Sequence, residues 1–470
     1  MIPLHVVVLA AGKGTRMKSV RPKVLHLLAG RTVLDHVLEA VEPLGAESTT
    51  LVIGHGGDQV RAALASKPQL QFVSQSPLLG TGHAVMQAEP LLRGKTGTVL
   101  LLHANVPLIS TGTLNRLVER HRSTRAAMTL LTSTVEDPYG YERVVRDAQG
   151  QLARVVEERE ASGDEQSSRE VSTGIYCFDL APLLDLLTAV AADASQGEYY
   201  LTDLVPLCRR RSLKVETLQL DSAAELRGVT TRVDVADLSA IMRARKNREL
   251  MLNGVTIDDP AATYIDMDVS VGADTIIGPG VLLEGRTSVG ERCRIHAGAR
   301  LTNATLGDGV IVLDRSIIVD SRVAANARIG PFAHIRPESD VAEDAHVGNF
   351  VELKKTRLGR RSKANHLAYL GDAVIGEDVN VGAGTITCNY DGVNKHKTVI
   401  EDGVFIGSDS QLIAPVTIGK GAYIGAGSSI TEDVAPDALA VARGRQTTKS
   451  GWASARRARL KAEKSKAEKS

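Results

Sequence analysis

Val271-Gly272, Ile277-Gly278, Val289-Gly290, Leu306-Gly307, Ile329-Gly330, Val347-Gly348, Leu358-Gly359, Ile375-Gly376, Val381-Gly382, Ile406-Gly407, Ile418-Gly419 and Ile424-Gly425 repeat one aliphatic–glycine pair along a single stretch of the chain. The intervals are 6, 12, 17, 23, 18, 11, 17, 6, 25, 12 and 6 residues, each on or within one residue of a multiple of six. One such pair is uninformative; a dozen nearly in phase mark hexapeptide repeats. Each hexad predicts one short strand, with the aliphatic side chain inward and the glycine relieving the corner. The reading is a left-handed parallel β-helix over residues 255–445, against the blander alternative of a generic glycine-rich β-domain. Aromatic residues make up only 3 % while glycine reaches 43 residues, so the core is filled with Val, Ile, Leu and Ala, which suits stacked short strands. The 25-residue interval holds Thr385-Ile386-Thr387-Cys388-Asn389-Tyr390-Asp391-Gly392-Val393-Asn394-Lys395-His396, polar and too long for one hexad. A loop leaving a rigid solenoid is a natural place for a binding element.

Outward from this stretch the texture changes. Residues 232–254 have helical spacing without Pro, and without Gly before Gly254, and predict a linking helix. Upstream, residues 1–231 alternate strand and helix periods: a buried strand Leu4–Ala10, a turn with Gly12 and Gly14, a helix Val33–Val41, and strands at Thr50–Gly54 and Val99–Leu102. That alternation argues for an α/β sheet with crossover helices. Ligand is then expected at the carboxyl ends of the strands, where the Gly12 turn and the loop 103–108 fall. Residues 446–470 form a basic tail, Ala/Lys/Arg/Glu/Ser-rich, expected as a frayed helix or a flexible segment.

The chain has 470 residues, with 56 Lys+Arg against 55 Asp+Glu, so no global field advertises nucleic acid or membrane as a partner. Four cysteines without a CxxC pair point to free thiols in a reducing compartment. The first residues lack the basic head and apolar run of a signal peptide, and no run of eighteen apolar residues exists, so a cytoplasmic setting is expected.

In the repeat region, His366 lies in Lys363-Ala364-Asn365-His366-Leu367-Ala368-Tyr369-Leu370. A lone histidine is more often packed or solvated, but Arg336, Lys354 and Lys355 come from nearby coils, and together they offer a base beside phosphate-gripping cations. Without a ligand, the same cations read as a solvated charged face. His334, His346 and His366 are the one sensible zinc set, although nothing in their spacing demands convergence. In the first domain, Leu9-Ala10-Ala11-Gly12-Lys13-Gly14-Thr15-Arg16-Met17 follows a strand, and Arg21-Pro22-Lys23-Val24-Leu25 comes soon after. A glycine-rich turn lets backbone N–H groups approach phosphate, and Arg16 and Lys23 add charge suited to a triphosphate.

These segments resemble the bifunctional GlmU family, in which a glucosamine-1-phosphate N-acetyltransferase is joined to an N-acetylglucosamine-1-phosphate uridylyltransferase. The resemblance covers about residues 1–452. It is carried by Gly330-Pro331-Phe332-Ala333-His334-Ile335-Arg336-Pro337, Gly348-Asn349-Phe350-Val351-Glu352-Leu353-Lys354-Lys355, Tyr369-Leu370-Gly371-Asp372-Ala373, Gly382 through Gly392, and Gly407-Ser408-Asp409. In the first half it is carried by the Gly12 turn with its Pro-Lys element, Gln75, Leu79-Gly80-Thr81-Gly82-His83-Ala84, Glu157, and Gly197-Glu198-Tyr199-Tyr200-Leu201-Thr202-Asp203. The resemblance implies an α/β nucleotidyltransferase-like, Rossmann-like first domain before the β-helix. It implies acetyl transfer from acetyl-CoA to glucosamine 1-phosphate, then uridylyl transfer from UTP to N-acetylglucosamine 1-phosphate with release of pyrophosphate. It also implies a homotrimer with acetyl-transfer sites between helices, and Mg²⁺ for the second reaction. By position, His366 resembles the general base, Arg336 and Lys354 the phosphate contacts, and Tyr369 and Asn380 the sugar contacts. Ala383, Asn389, Tyr390, Ser408, Ala426 and Arg443 resemble acetyl-CoA positions. Leu9, Ala10, Ala11, Gly12, Arg16, Lys23, Gln75, Gly80, Thr81 and Glu157 resemble nucleotide and sugar contacts.

Four positions of the first domain depart from the family. Asn105, in Leu102-His103-Ala104-Asn105-Val106-Pro107-Leu108, stands where the family has the Asp that holds Mg²⁺; Thr230, in Gly228-Val229-Thr230-Thr231-Arg232, stands where it has a metal-binding Asn. Glu142 replaces a Gly that closes on the nucleotide sugar, and Ser172 replaces an Asn. Mg²⁺ is usually held by one or two carboxylates plus phosphates, and the two matched positions supply none. The expectation is weakened metal binding, with Glu142 adding bulk and negative charge where the sugar packs, unless Asn and Thr still ligate the metal or another carboxylate such as Asp203 or Asp221 moves in. Two alternatives follow: an acetyltransferase with an inactive first domain, and a non-catalytic trimeric scaffold, against which His366, Arg336, Lys354 and Tyr369 argue.

Overall fold

The computed structural model describes residues 2–190 and 199–467; Met1, Gly197 and Glu198 of the Gly197–Asp203 motif, and residues 468–470 of the tail, lie outside the described residues. The chain divides into two compact units, residues 1–249 with 264–268, and residues 250–263 with 269–470. The helix α4, Arg232–Leu252, runs across the first division.

In the first unit, strands β1 (Leu4–Ala10), β2 (Ser48–Ile53), β3 (Leu70–Ser74), β4 (Thr98–His103), β5 (Met128–Thr134), β6 (Arg143–Arg146), β7 (Leu152–Val156), β8 (Glu170–Asp179) and β9 (Val215–Gln219) make one sheet in the order β9-β5-β8-β4-β1-β2-β3, and the hairpin β6–β7 joins through β8. β1 pairs in parallel with β2 and β4, whereas β8 runs antiparallel between β4 and β5. Helices α1 (Val33–Val41), α2 (Gly80–Leu92) and α3 (Thr111–Thr124) are crossovers. A core of aliphatic residues lies on each face of the sheet. This explains why Val6, Val7 and Val8 are buried on both sides, and why the sequence reads there as an unbroken apolar run. α1 begins at a capping box, with the Thr32 hydroxyl accepting from Asp35 N at 3.0 Å.

The second unit is the expected left-handed parallel β-helix. Its short strands stack into three faces: face I from Thr256–Ile257 to Leu439–Ala440, face II with Leu282–Glu284 through Ser429–Ile430, and face III from Ser270–Val271 to Val416–Ile418. On face I the inward column is Ile257, Ile277, Ile295, Val312, Ile329, Val347, Ala364, Val381, Ile406 and Ile424, all buried and paired coil to coil. The repeat glycines require a correction. Among them only Gly330 has a positive φ; the left-handed corners fall on other residues, such as Asp274, Asn326 and Asp344. The repeat glycine is needed because coils stack there backbone on backbone. A Cβ at Gly348 would lie 2.0 Å from Asn365 O, and one at Gly359 2.1 Å from Gly376 O. Within the tail, Trp452–Ala467 is a helix, α5, with every residue exposed.

Candidate functional site

The β-helix carries its candidate groups along one corner and one face. At the corner between faces I and II, Asn349 and His366 are register partners in adjacent coils. The His366 Nδ1–H donates to Asn349 Oδ1 at 2.9 Å. That bond leaves Nε2 of an exposed ring as the free lone pair. Ala383, Ser408 and Ala426 continue the same corner in later coils, tied by Asp409 N to Ala383 O at 2.7 Å and Gly427 N to Ser408 O at 2.8 Å. Arg443 closes the series, donating from Nη1 to Ala426 O at 2.6 Å.

Face II begins three residues after His366. His334, Glu352, Tyr369 and Ile386 are register partners there. Arg336 Nη1 donates to Glu352 Oε1 at 2.7 Å, which raises the Arg336 pKa. At the far end of the strand, Lys354 Nζ lies 3.5 Å from Asp372 Oδ2. Asn389 Nδ2 donates to that same carboxylate and reaches the Tyr369 hydroxyl at 3.5 Å. The 25-residue interval folds back through the Tyr390–Lys395 bridge and a hydrogen bond of 2.7 Å from His396 Nε2 to Asp391 Oδ2. It brings Lys395 against Lys354, whose proximity lowers the Lys395 pKa. Arg336, Lys354, Tyr369 and Asn389 therefore meet, with His366 at the near end of the strand. Asn380 stands on face I, and Tyr390 is exposed on the loop. His334 lies on face II whereas His346 and His366 lie on face I, and among the described residues no three His, Cys, Asp or Glu side chains form a metal-holding group.

In the first unit one cavity of about 380 Å³ lies at the carboxyl ends of β1 and β4. Leu9, Ala10, Ala11, Gly12, Lys23, Gln75, Gly80, Thr81 and Asn105 all line it, as does His103. Gln75 Nε2 donates to Gly80 O at 2.9 Å, and Gly82 N donates to Tyr199 O at 2.8 Å. A Cβ at Gly80, whose φ is +92, would fall 2.4 Å from Tyr199 O, so Tyr199 clamps the segment that forms the cavity floor. Burial and the nearby Arg16 lower the Lys23 pKa to about 8. Burial and Lys23 lower the His103 pKa to about 4, so its ring is neutral. Arg16 and Glu157 line a neighbouring, wider cleft rather than the cavity.

Comparison with known proteins follows the same division. A model of the MobA-like NTP transferase domain matches residues 6–233, one of the GMPPB C-terminal domain matches 260–399, and six bacterial transferase hexapeptide repeats match 397–432. The chain is 49 % identical over 463 residues to the bifunctional protein GlmU of Koribacter versatilis, covering 98 % of each chain. It is 48 % identical to that of Shouchella clausii, over 95 % of this chain and 98 % of the relative. The chain belongs to the GlmU family. It is a bifunctional enzyme of UDP-N-acetylglucosamine biosynthesis, with a nucleotidyltransferase unit and a hexapeptide acetyltransferase unit.

The GlmU departures now have places. Among the described residues no Asp or Glu lines the cavity. Asn105 is turned partly away: its Nδ2 donates to Val229 O at 3.1 Å, leaving Oδ1 as its one acceptor. Thr230 lies next to Val229, and Asp221 is engaged at 2.6 Å by Arg116. Glu142 is not among the residues that line the cavity or the neighbouring cleft. It lies directly before β6, and Ser172 N donates to Glu142 O at 3.0 Å. Its carboxyl bonds the Ser172 side chain, and burial, followed by the Glu157 charge, raises its pKa to about 7. The smaller Ser172 thus goes with an acid that folds inward. Reading residues alone missed Asn349, Glu352, Asp372, Lys395 and His103. All five lay inside quoted segments, but only register revealed that Asn349 meets His366.

Proposed function

We propose that His366 is the general base of acetyl transfer, and that glucosamine 1-phosphate lies along face II with its amine toward His366 and its phosphate toward Arg336, Lys354 and Lys395. The observation that carries this reading is spacing. His366 and the Lys354–Lys395 pair bracket the strand Tyr369–Gly371, which at ~3.3 Å per residue separates them by roughly 10 Å, the reach of a sugar phosphate. Tyr369 lies between, and Tyr369 and Asn380 contact the sugar. His366 Nε2 takes a proton from the ammonium group, the amine attacks the thioester carbonyl of acetyl-CoA, and the CoA thiolate leaves. Ala383, Ser408, Ala426 and Arg443 follow one corner from His366 and carry the CoA chain, with Asn389 and Tyr390 at its side. Phe332, Phe350 and Leu367 are exposed on the same corner, the two phenyl rings stacked at 5.5 Å. Such an apolar stripe beside the base supports a homotrimer in which a second β-helix covers it.

For uridylyl transfer the cavity takes UTP, with the Gly12 turn and Lys23 at the phosphates and Gln75, Gly80 and Thr81 at the base. Arg16 and Glu157 serve the acceptor from the adjoining cleft. An oxygen of N-acetylglucosamine 1-phosphate attacks the α-phosphorus and pyrophosphate leaves. A divalent metal, when bound, neutralises charge on the phosphates. Asn105 Oδ1 and Thr230 are oxygen donors, a set that suits Mg²⁺ in kind though not in charge. Residues 1–231 would carry this reaction and 255–445 acetyl transfer, joined by 232–254 and followed by the basic tail 446–470, in a cytoplasmic protein. Among the described residues no helix is long and apolar enough to cross a membrane. Thiol release from acetyl-CoA with glucosamine 1-phosphate, beside pyrophosphate release from UTP with N-acetylglucosamine 1-phosphate and Mg²⁺, tests both halves. Thiol release alone would confine the activity to the β-helix.

A further inference from the structure

Gln75 follows the last residue of β3, is buried, and lines the nucleotide cavity. Its side-chain amide is held at the nitrogen end. Nε2 donates to Gly80 O at 2.9 Å and lies 3.1 Å from His83 Nδ1. A carbonyl oxygen only accepts, so the Gly80 bond fixes which end of the amide is nitrogen. The second Nε2 hydrogen is then the one that meets His83 Nδ1, and Nδ1 accepts it. The ring hydrogen of His83 is therefore on Nε2. There the Gln87 amide, one helical turn further along α2, stands 3.1 Å away and accepts through its oxygen. The Tyr199 ring flanks the imidazole at a centroid distance of 6.2 Å. His83 itself does not line the cavity. Both Gln75 donors are thus spent on the protein. Among the described residues no group donates to Gln75 Oε1, so an acceptor is what this side chain offers a ligand.

We infer that His83 is a positioning residue that sets which base the cavity accepts: by holding the Gln75 amide nitrogen it keeps Oε1 toward the ligand, so the base must bring a ring N–H, as uracil does at N3. The inference rests on the reading of the cavity as the UTP site with the base at Gln75. Cytosine carries a lone pair at N3 and would set acceptor against acceptor, leaving a buried polar pair unmatched. An amide turned end for end would present Nε2 instead and welcome cytosine. Turning it, however, would also aim Oε1 at Gly80 O and at His83 Nδ1, both of them acceptors. Gly80 O belongs to the backbone and stays whatever side chain is changed. His83 is the half of this lock that a substitution can remove.

The test compares UTP with CTP. Their affinities for the full chain are measured by titration calorimetry, with thermal unfolding followed in parallel. The parent chain is expected to prefer UTP on the order of a hundredfold. His83→Phe keeps a ring but has no acceptor, and is expected to lower that preference about tenfold. His83→Asn places an amide oxygen close to where Nδ1 stood, and is expected to keep the preference. A ring that only packs would give the reverse order, with Phe the better substitute. An unchanged preference in His83→Phe, or an equal loss in His83→Asn, overturns the inference and leaves the nucleotide site standing. Should His83→Phe not fold, Gln87→Leu is read in its place. It removes the group that keeps the ring hydrogen on Nε2 and is expected to lower the preference several-fold; an unchanged preference there overturns the inference equally. A parent chain that binds UTP and CTP alike overturns it too, and one that binds neither overturns the uridylyl reading with it.

Discussion

His366 and Asn349 meet one coil apart in the β-helix, with the imidazole Nδ1–H on Asn349 Oδ1 at 2.9 Å. The bond selects the tautomer whose free lone pair is on Nε2, so Asn349 is a positioning residue for the proposed base. His366→Ala is expected to lower kcat for acetyl transfer by about 10²–10⁴-fold with no loss of folded protein. Asn349→Ala is expected to lower kcat about tenfold with little change in KM, because the base is present but free to adopt the other tautomer. Thiol-release kinetics on both variants check this; a near-normal rate in His366→Ala would remove it from the mechanism.

In the first unit, replacing both neutral positions restores a carboxylate to the cavity itself. Asn105→Asp with Thr230→Asn is expected to raise Mg²⁺-dependent pyrophosphate release by about tenfold or more, since a metal stabilises the transferring phosphoryl group by several kcal/mol when firmly held. The comparison is the ratio of rates in Mg²⁺ between the double variant and the parent chain. No gain would mean that the parent site already holds its metal well.

Much of this was readable before any coordinate. The period of six predicted the stacked strands, because inward aliphatic residues such as Ile277, Ile295 and Ile329 must recur wherever a coil closes. The glycine turn after β1 predicted the cavity, because a ligand cradle belongs at the carboxyl end of a parallel strand. What was hidden depends on distance along the chain. Asn349 and His366 are 17 residues apart and become neighbours only when two coils take a particular register. Glu142 was read as an intruding charge because a one-dimensional pattern shows which residue changed but not where its side chain turns. The smaller Ser172, 30 residues later, gives it an inward partner.

Glu142 makes the stability of the first unit depend on pH. Burial, then the charge of Glu157, raises its pKa from 4.5 to about 7 in the folded chain. The folded state therefore binds this proton more tightly than the unfolded state. The stability it contributes is complete below about pH 4.5 and is lost as pH rises through about 7. Glu142→Gln, which mimics the protonated acid, is expected to remove that decline. Thermal unfolding of parent and variant should converge at low pH and separate by on the order of 1–3 kcal/mol toward pH 8, the variant being the more stable. Parallel curves across the whole range would show that Glu142 is ionised or solvated throughout.

The repeat glycines offer the sharpest test of the fold. Gly348 has an ordinary backbone conformation, so conformational strain gives no reason to exclude alanine there. Stacking does: an added Cβ would lie 2.0 Å from Asn365 O, and 2.6 Å from the carbonyl carbon behind it. These are backbone atoms of the next coil and cannot swing aside as a side chain would. Relief requires the coils to part, which would weaken the hydrogen bonds between adjacent coils and move Asn349 relative to His366. Gly348→Ala is expected to cost about 1–3 kcal/mol or more, read as a lower unfolding midpoint of the β-helix, and to lower acetyl transfer although it touches no substrate. Gly392→Ala, in the loop with nothing within 4 Å of the added Cβ but a φ of +102, should show the opposite balance, with backbone strain confined to the loop and the coil spacing intact. If the two variants unfold alike and retain equal activity, coil contact is not what selects glycine at the repeat.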